Sequence, residues 1–213
     1  MAWPEANRLS DSPSEAVDRD HCITGVVLAG GQGSRMGGVD KGLQPFRGKP
    51  MAAHAIERLA PQVDELLVNA NRNPQAYEQF GHRVIADEIE GYAGPLAGFE
   101  RGLFHAAGNL VVTVPCDSPF LPADLVARLR RALEENGADL TVAKTGAQAH
   151  PVFSLMRREV LASLQEFLSS GQRKIDRWYS SLKVVEVSFD DEADAFLNIN
   201  TREELAILEP REG

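Results

Sequence analysis

Arg35 and Lys41 stand in a stretch, residues 23–49, that reads ITGVVLAGGQGSRMGGVDKGLQPFRGK. Seven of the chain's 18 glycines fall between Gly30 and Gly48, and Arg35, Lys41, Arg47 and Lys49 are balanced there by one acid, Asp40. In a chain of net charge −9 that local excess of cations singles the stretch out. Successive glycines let backbone amides line a concave anion site and let a ligand come close. A lysine in such a loop acts as a point charge on phosphate oxygens, and an arginine offers them a planar fork. The chemistry indicated is phosphate binding, with Lys41 and Arg35 placed to neutralise charge on a leaving pyrophosphate. The competing explanation, a glycine-rich turn with solvated cations, loses ground with each extra fixed position.

Three further polar residues end apolar runs. Asp117 follows LVVTVP, Asp87 follows RVIA, and Asn69 closes DELLV. A carboxylate beyond a buried strand, near a phosphate loop, is the ligand type Mg²⁺ takes together with substrate phosphates, and Asp117 is the metal candidate. A turn before Ser118-Pro119 also explains it. Asp87 could hold nucleotide or metal, or begin a turn. Asn69 could hydrogen-bond a base or ribose, or serve the polar segment Asn71-Arg72-Asn73. A second pocket is required for the group that accepts the nucleotidyl unit, and the carboxyl-terminal third offers His150, Arg173, Lys174, Asn198 and Asn200 for it. Arg173 and Lys174 suit a phosphate monoester and Trp178 a flat ring; a solvated helix face with a core anchor explains these three equally well.

Strands must deliver these residues. The apolar, β-branched run 23–29 reads as a buried parallel strand emptying into the loop. Residues 64–70, 83–86, 110–114, 139–143, 152–156 and 183–187 read as further strands. Helices are expected over residues 50–60, 96–107, 122–136 with Gly137 as its cap, 157–169 and 201–208. The last opens on a capping box of Thr201 and Glu204. Strands alternating with helices predict a single Rossmann-like α/β domain, mostly parallel, with helices on both faces. Ligands of such sheets bind beyond the carboxyl ends of the strands, where Gly30, Asn69, Asp87 and Asp117 all lie in this reading.

Residues 1–21 are polar, acidic and carry two prolines, and read as a disordered extension before a domain over 22–213. They lack the apolar core of a secretory signal, and no run approaches a membrane span. Two cysteines give neither a disulfide framework nor a metal pair, which suits the cytoplasm. The acidic balance argues against nucleic acid and anionic membranes as partners.

The loop is neither of the common phosphate loops. The Walker pattern meets Leu43 and Pro50 where Gly and Ser or Thr belong, and the dinucleotide pattern meets Met36 where its third Gly belongs. The string LAGGQGSRMGGVDKGL, followed in order by VNANR, VIAD, GPLAG, VPCDSPFLP, HPVFSL, GQRK and NINTREEL, resembles the molybdenum cofactor guanylyltransferase family within the nucleotidyltransferases. The resemblance covers roughly residues 22–209. It implies transfer of GMP from GTP to the terminal phosphate of molybdopterin, with release of pyrophosphate. It implies that Leu28, Ala29, Gly30, Lys41, Asn69, Asp87 and Asp117 bind GTP and that Asp117 also binds Mg²⁺. The similar cytidylyltransferases usually read LAAG, so Gly31 tilts the nucleotide towards GTP. A monomer with GTP and molybdopterin as its partners is expected. The rivals are an enzyme of the same fold with a cytidylyl cofactor or sugar phosphate as product or acceptor, and a GTP-binding regulatory protein without turnover. The latter should have lost Lys41 or Asp117, and both are present.

Overall fold

The computed structural model describes residues 22–29, 40–88 and 94–197. The expected amino-terminal extension, Arg35 with Gly30 and Gly31, the helix over 201–208, and Asn198 and Asn200 lie outside the described residues.

Strand β1 (Ile23–Leu28) is an interior strand, third in order, of the seven-stranded sheet formed by the described residues. A short hairpin follows, β2 (Pro45–Phe46) and β3 (Lys49–Pro50), then helix α1 (Met51–Leu59). α1 starts behind Pro50, buries Met51, Ala52, Ala55, Ile56 and Leu59, and stops where Pro61 enters a 3-10 turn. Next come β4 (Glu65–Asn69), the single-turn α2 (Pro74–Glu78) and β5 (Arg83–Ile85). α3 (Pro95–His105) leads to β6 (Leu110–Pro115), and α4 (Leu125–Asn136) closes at Gly137 as expected. The chain continues with β7 (Leu140–Thr145), β8 (Gln148–Arg157), α5 (Leu161–Ser169), α6 (Ile175–Tyr179) and β9 (Val184–Ser188).

The strand order is β5-β4-β1-β6-β8-β7-β9. β1, β4, β5 and β6 run parallel, and so do β7 and β9, while β8 alone runs against its neighbours. The sheet is thus mostly parallel, as expected. Strand side chains alternate between faces. Ile23 and Val27 meet the core under α1 and α4, and Val26 meets the core under α3, α5 and α6. Helices therefore cover both faces, which is why β1 and β6 are buried along almost their whole length.

The helix expected over 157–169 begins at Leu161, since β8 runs to Arg157 and a 3-10 turn, Arg158–Val160, intervenes. Two other differences from the sequence-based expectation have physical reasons in side-chain contacts and register. α4 begins at Leu125 rather than at residue 122, because Gln62 intervenes: its Nε2 donates to the Pro122 carbonyl and its Oε1 accepts from the Val126 amide. A side chain 64 residues away thus supplies the cap. β8 runs on through Pro151, which cannot donate to a ladder. The register of β7 against β8 jumps from Val142–Ser154 to Ala143–His150, so the proline sits in the irregularity.

Candidate active site

The loop that opens the site is pinned at both ends. At its start the Ala29 amide donates to the Asn69 carbonyl at 2.8 Å, tying the exit of β1 to the end of β4. At its return Asp40 leads into a 3-10 turn, Lys41–Leu43. That turn brings Lys41 Nζ to 3.4 Å from Asp117 Oδ2, in the turn directly after β6. β1 and β6 are adjacent and parallel with Leu28 opposite Pro115. Loop and carboxylate thus leave the same end of the sheet side by side.

Asp117 is mostly buried, and burial pushes its carboxyl above the usual carboxylate range. The charge and hydrogen bond of Lys41 and its own backbone pull it part of the way back. A carboxylate short of solvation gains from a cation more than an exposed one does. Among the described residues no three of His, Cys, Asp and Glu gather into a metal cage. The donor set is one buried carboxylate beside a phosphate loop, and this suits Mg²⁺, which keeps waters and phosphate oxygens as its other ligands.

A second polar cluster lies at the ends of β4 and β5. Asn69, nearly fully buried, donates through Nδ2 to Asp87 Oδ1 at 2.9 Å. Asn71 donates to Asp87 Oδ2 at 2.6 Å and accepts from the Asp87 amide at 2.8 Å. Asp87 is held in one orientation from three sides. Above it the first turn of α3 closes in at Gly98, where a Cβ would stand 2.6 Å from both Asn69 Oδ1 and Leu28 Cδ2. Leu28, Ala29, Lys41, Asn69, Asp87 and Asp117 are therefore brought to one end of the sheet. Asn71 was not among the residues expected here, whereas Gly98 was read only as the end of the GPLAG segment, expected to help form a pocket for guanine. The two asparagines of VNANR were a usable signal for Asn71; the close approach of Gly98 depends on where α3 packs.

The antiparallel strand serves the other half. Thr113 lies opposite Ser154, so the first residues of β8 reach past the carboxyl end of β6, the end that carries Asp117. His150 stands there, with Nε2 2.7 Å from Thr145 Oγ1 and its ring stacked on Phe196 at 4.8 Å. Burial lowers its imidazole below the ordinary value, towards the neutral form. Arg173 and Lys174 are exposed between α5 and α6. Arg173 Nη1 donates to the carbonyls of Leu168 and Gln172, closing the end of α5. Trp178 does not offer its ring to a ligand: it is fully buried, edge-on to Phe99, with Nε1 donating to Ser163. It anchors α6 in the core, and its truncation to alanine costs about 3–5 kcal/mol.

The arrangement can hold a nucleoside triphosphate across the ends of β1, β4, β5 and β6 and present its phosphates to Lys41 and Asp117. Comparison with known proteins agrees with that geometry. Residues 25–185 match the family model of the MobA-like NTP transferase domain. The chain is 55% identical over 194 residues to the molybdenum cofactor guanylyltransferase of Cupriavidus necator, covering 89% of this chain and 97% of that one. It is 50% identical over 186 residues to the enzyme of that name from Shewanella amazonensis, covering 87% and 95%. Among solved structures, molybdopterin-guanine dinucleotide biosynthesis protein A from Archaeoglobus fulgidus superposes with a TM-score of 0.73 at 25% identity, over 86% of this chain and 95% of that one.

Proposed function

The chain belongs to the molybdenum cofactor guanylyltransferase family of MobA-like NTP transferases, and we propose that it transfers GMP from GTP to the terminal phosphate of molybdopterin, releasing pyrophosphate. One observation carries the assignment to residues: Lys41 and Asp117 meet at 3.4 Å where the glycine-rich loop returns beside β6. Both reactants are anions, so the protein must bring them together and offset their charge. The loop amides and Arg35 take the β- and γ-phosphates. Lys41 neutralises charge that grows on the departing pyrophosphate. Asp117 would hold Mg²⁺, and the ion when bound would offset negative charge on the phosphate oxygens. Asn69 and Asp87 grip the nucleoside. The acceptor is a phosphate monoester, already ionised near pH 7, so no general base is needed. His150, Arg173, Lys174, Asn198 and Asn200 receive the acceptor.

The reading also puts the protein in the cytoplasm. Cys22 and Cys116 are both free thiols, and no helix among the described residues is long and apolar enough to cross a membrane. The experiment is pyrophosphate release and guanine dinucleotide formation with each of the four nucleoside triphosphates, with and without molybdopterin. The expected result is release with GTP only, and only with acceptor. A preference for CTP or for a sugar phosphate would overturn the substrate assignment.

A further inference from the structure

Lys41 is flanked by two residues that end on the same buried hydroxyl. Tyr77, on α2, is fully buried, and its Oη donates to Asp40 Oδ1 at 2.5 Å. Asn73, at the head of α2, donates through Nδ2 to Asp40 Oδ2 at 3.1 Å. On the other side of Lys41, Gly42 presses so close that a Cβ there would stand 2.4 Å from Tyr77 Oη and 3.1 Å from Cys116 Sγ. Cys116 is the residue before Asp117. One phenol therefore bonds the residue before Lys41 and packs against the residue after it, and that same residue packs against Cys116, the neighbour of Asp117. Asn73 adopts a left-handed backbone, φ 49°, that non-glycine residues rarely take, and this aims its amide at the loop. Burial holds the Tyr77 phenol far above its ordinary value, so the hydroxyl remains a donor.

Resting on the reading that Lys41 meets the nucleotide phosphates, we infer that Tyr77 is a positioning residue for the transfer reaction, which with Asn73 locks Asp40 and so sets where Lys41 stands relative to Asp117. The lock comes from a helix more than thirty positions along the chain, packed beneath the loop's return. A lysine on a mobile turn is a diffuse charge. Held on both sides, it is aimed at one place, and small displacements of such a group cost catalysis heavily.

Tyr77→Phe keeps the ring and removes the lock. It should lower kcat/KM for GTP by roughly ten- to hundredfold. In a Lys41→Ala background the same change should have no further effect, because the residue it positions is gone. Equal losses in both backgrounds would show a general structural role and overturn the inference, as would wild-type kcat/KM in Tyr77→Phe. Asn73→Ala, at an exposed position, removes only the outer bond and should give a smaller loss in the same direction. It carries the test should Tyr77→Phe not fold. GTP affinity by calorimetry on the wild type, Tyr77→Phe, Lys41→Ala, the double variant and Asn73→Ala is read in parallel. Failure of the wild type to form the guanine dinucleotide would then refute the substrate assignment, while the Tyr77 result is judged on Lys41-dependent GTP binding.

Discussion

Asn69 and Asp87 hold each other across the ends of two neighbouring strands: the Asn69 amide donates to the Asp87 carboxylate at 2.9 Å, and Asn69 lies opposite Ile85 in the register of β4 and β5. A carboxylate fixed in this way meets a ligand without first losing rotamer freedom. Asn69→Ala removes one of the three hydrogen bonds on Asp87, leaving those of Asn71, and should raise KM for GTP by about tenfold, the scale of a hydrogen bond to a charged group. kcat should change much less, since these groups serve binding more than the reacting phosphates. Steady-state kinetics at saturating molybdopterin decide it; an unchanged KM would remove both residues from the nucleotide site.

Asp117 and Lys41 should separate by their kinetics. Asp117→Ala should cut kcat by roughly a hundredfold or more, since a metal's charge stabilisation is worth several kcal/mol, and added Mg²⁺ should rescue it poorly. Lys41→Ala should both raise KM for GTP and lower kcat, because pyrophosphate carries more charge as it leaves than within GTP. Circular dichroism controls for folding. Near-wild-type kcat with an unshifted Mg²⁺ midpoint in Asp117→Ala would move the metal assignment to Asp87.

Gly98→Ala should reproduce the Asn69→Ala phenotype by a different route. The added methyl collides with Asn69 Oδ1 and Leu28 Cδ2, so either the amide moves away from Asp87 or α3 lifts. Overpacking of this kind costs about 1–3 kcal/mol, so a lower thermal midpoint should accompany the loss of GTP affinity. A variant with wild-type midpoint and affinity would show that α3 gives way freely.

His105, at the far end of α3, supplies a pH dependence unconnected with turnover. Burial lowers its imidazole below the ordinary value, and Arg101 and Arg83, whose guanidinium nitrogens lie 2.7 and 3.1 Å from the two ring nitrogens, lower it further. The unfolded chain takes up the proton near pH 6.5 and the folded chain at lower pH. Stability from the neutral ring is therefore complete above about pH 6.5, declines as the pH falls below it, and is gone once the folded ring protonates. His105→Gln should shrink the drop in thermal midpoint between pH 7.5 and pH 5 while kcat is kept. An equal drop in variant and wild type would refute the account.

The parts of the fold legible in sequence were those with one strong local signal. β1 and β6 are unbroken apolar runs, and the glycine-rich string between Gly30 and Gly48 could be read at sight. The β2–β3 hairpin escaped notice because two residues per strand leave no periodicity to detect. The amino-terminal half of β8 escaped because Pro151 argues against a strand and only the slipped register admits it. Trp178 was ambiguous because a polar helix with one aromatic reads alike whether the ring faces ligand or core. Asp40 stood in plain view, but only as the loop's single acid. Its partner Tyr77 sits 37 positions away, and nothing local joins them.

The parallel pairing of β1 with β6 sets an order of events at the ribosome. Ile23 is made early, yet one edge of its strand stays open until Leu110 and the residues after it have been synthesised. Pairings between segments so distant in sequence form late and slowly. Until then the loop after β1 has no neighbouring β6 turn, and Lys41 has no Asp117. The nascent chain thus cannot offer the assembled phosphate site to GTP before β6 is made, and nucleotide should favour the completed domain over its unfinished forms by mass action.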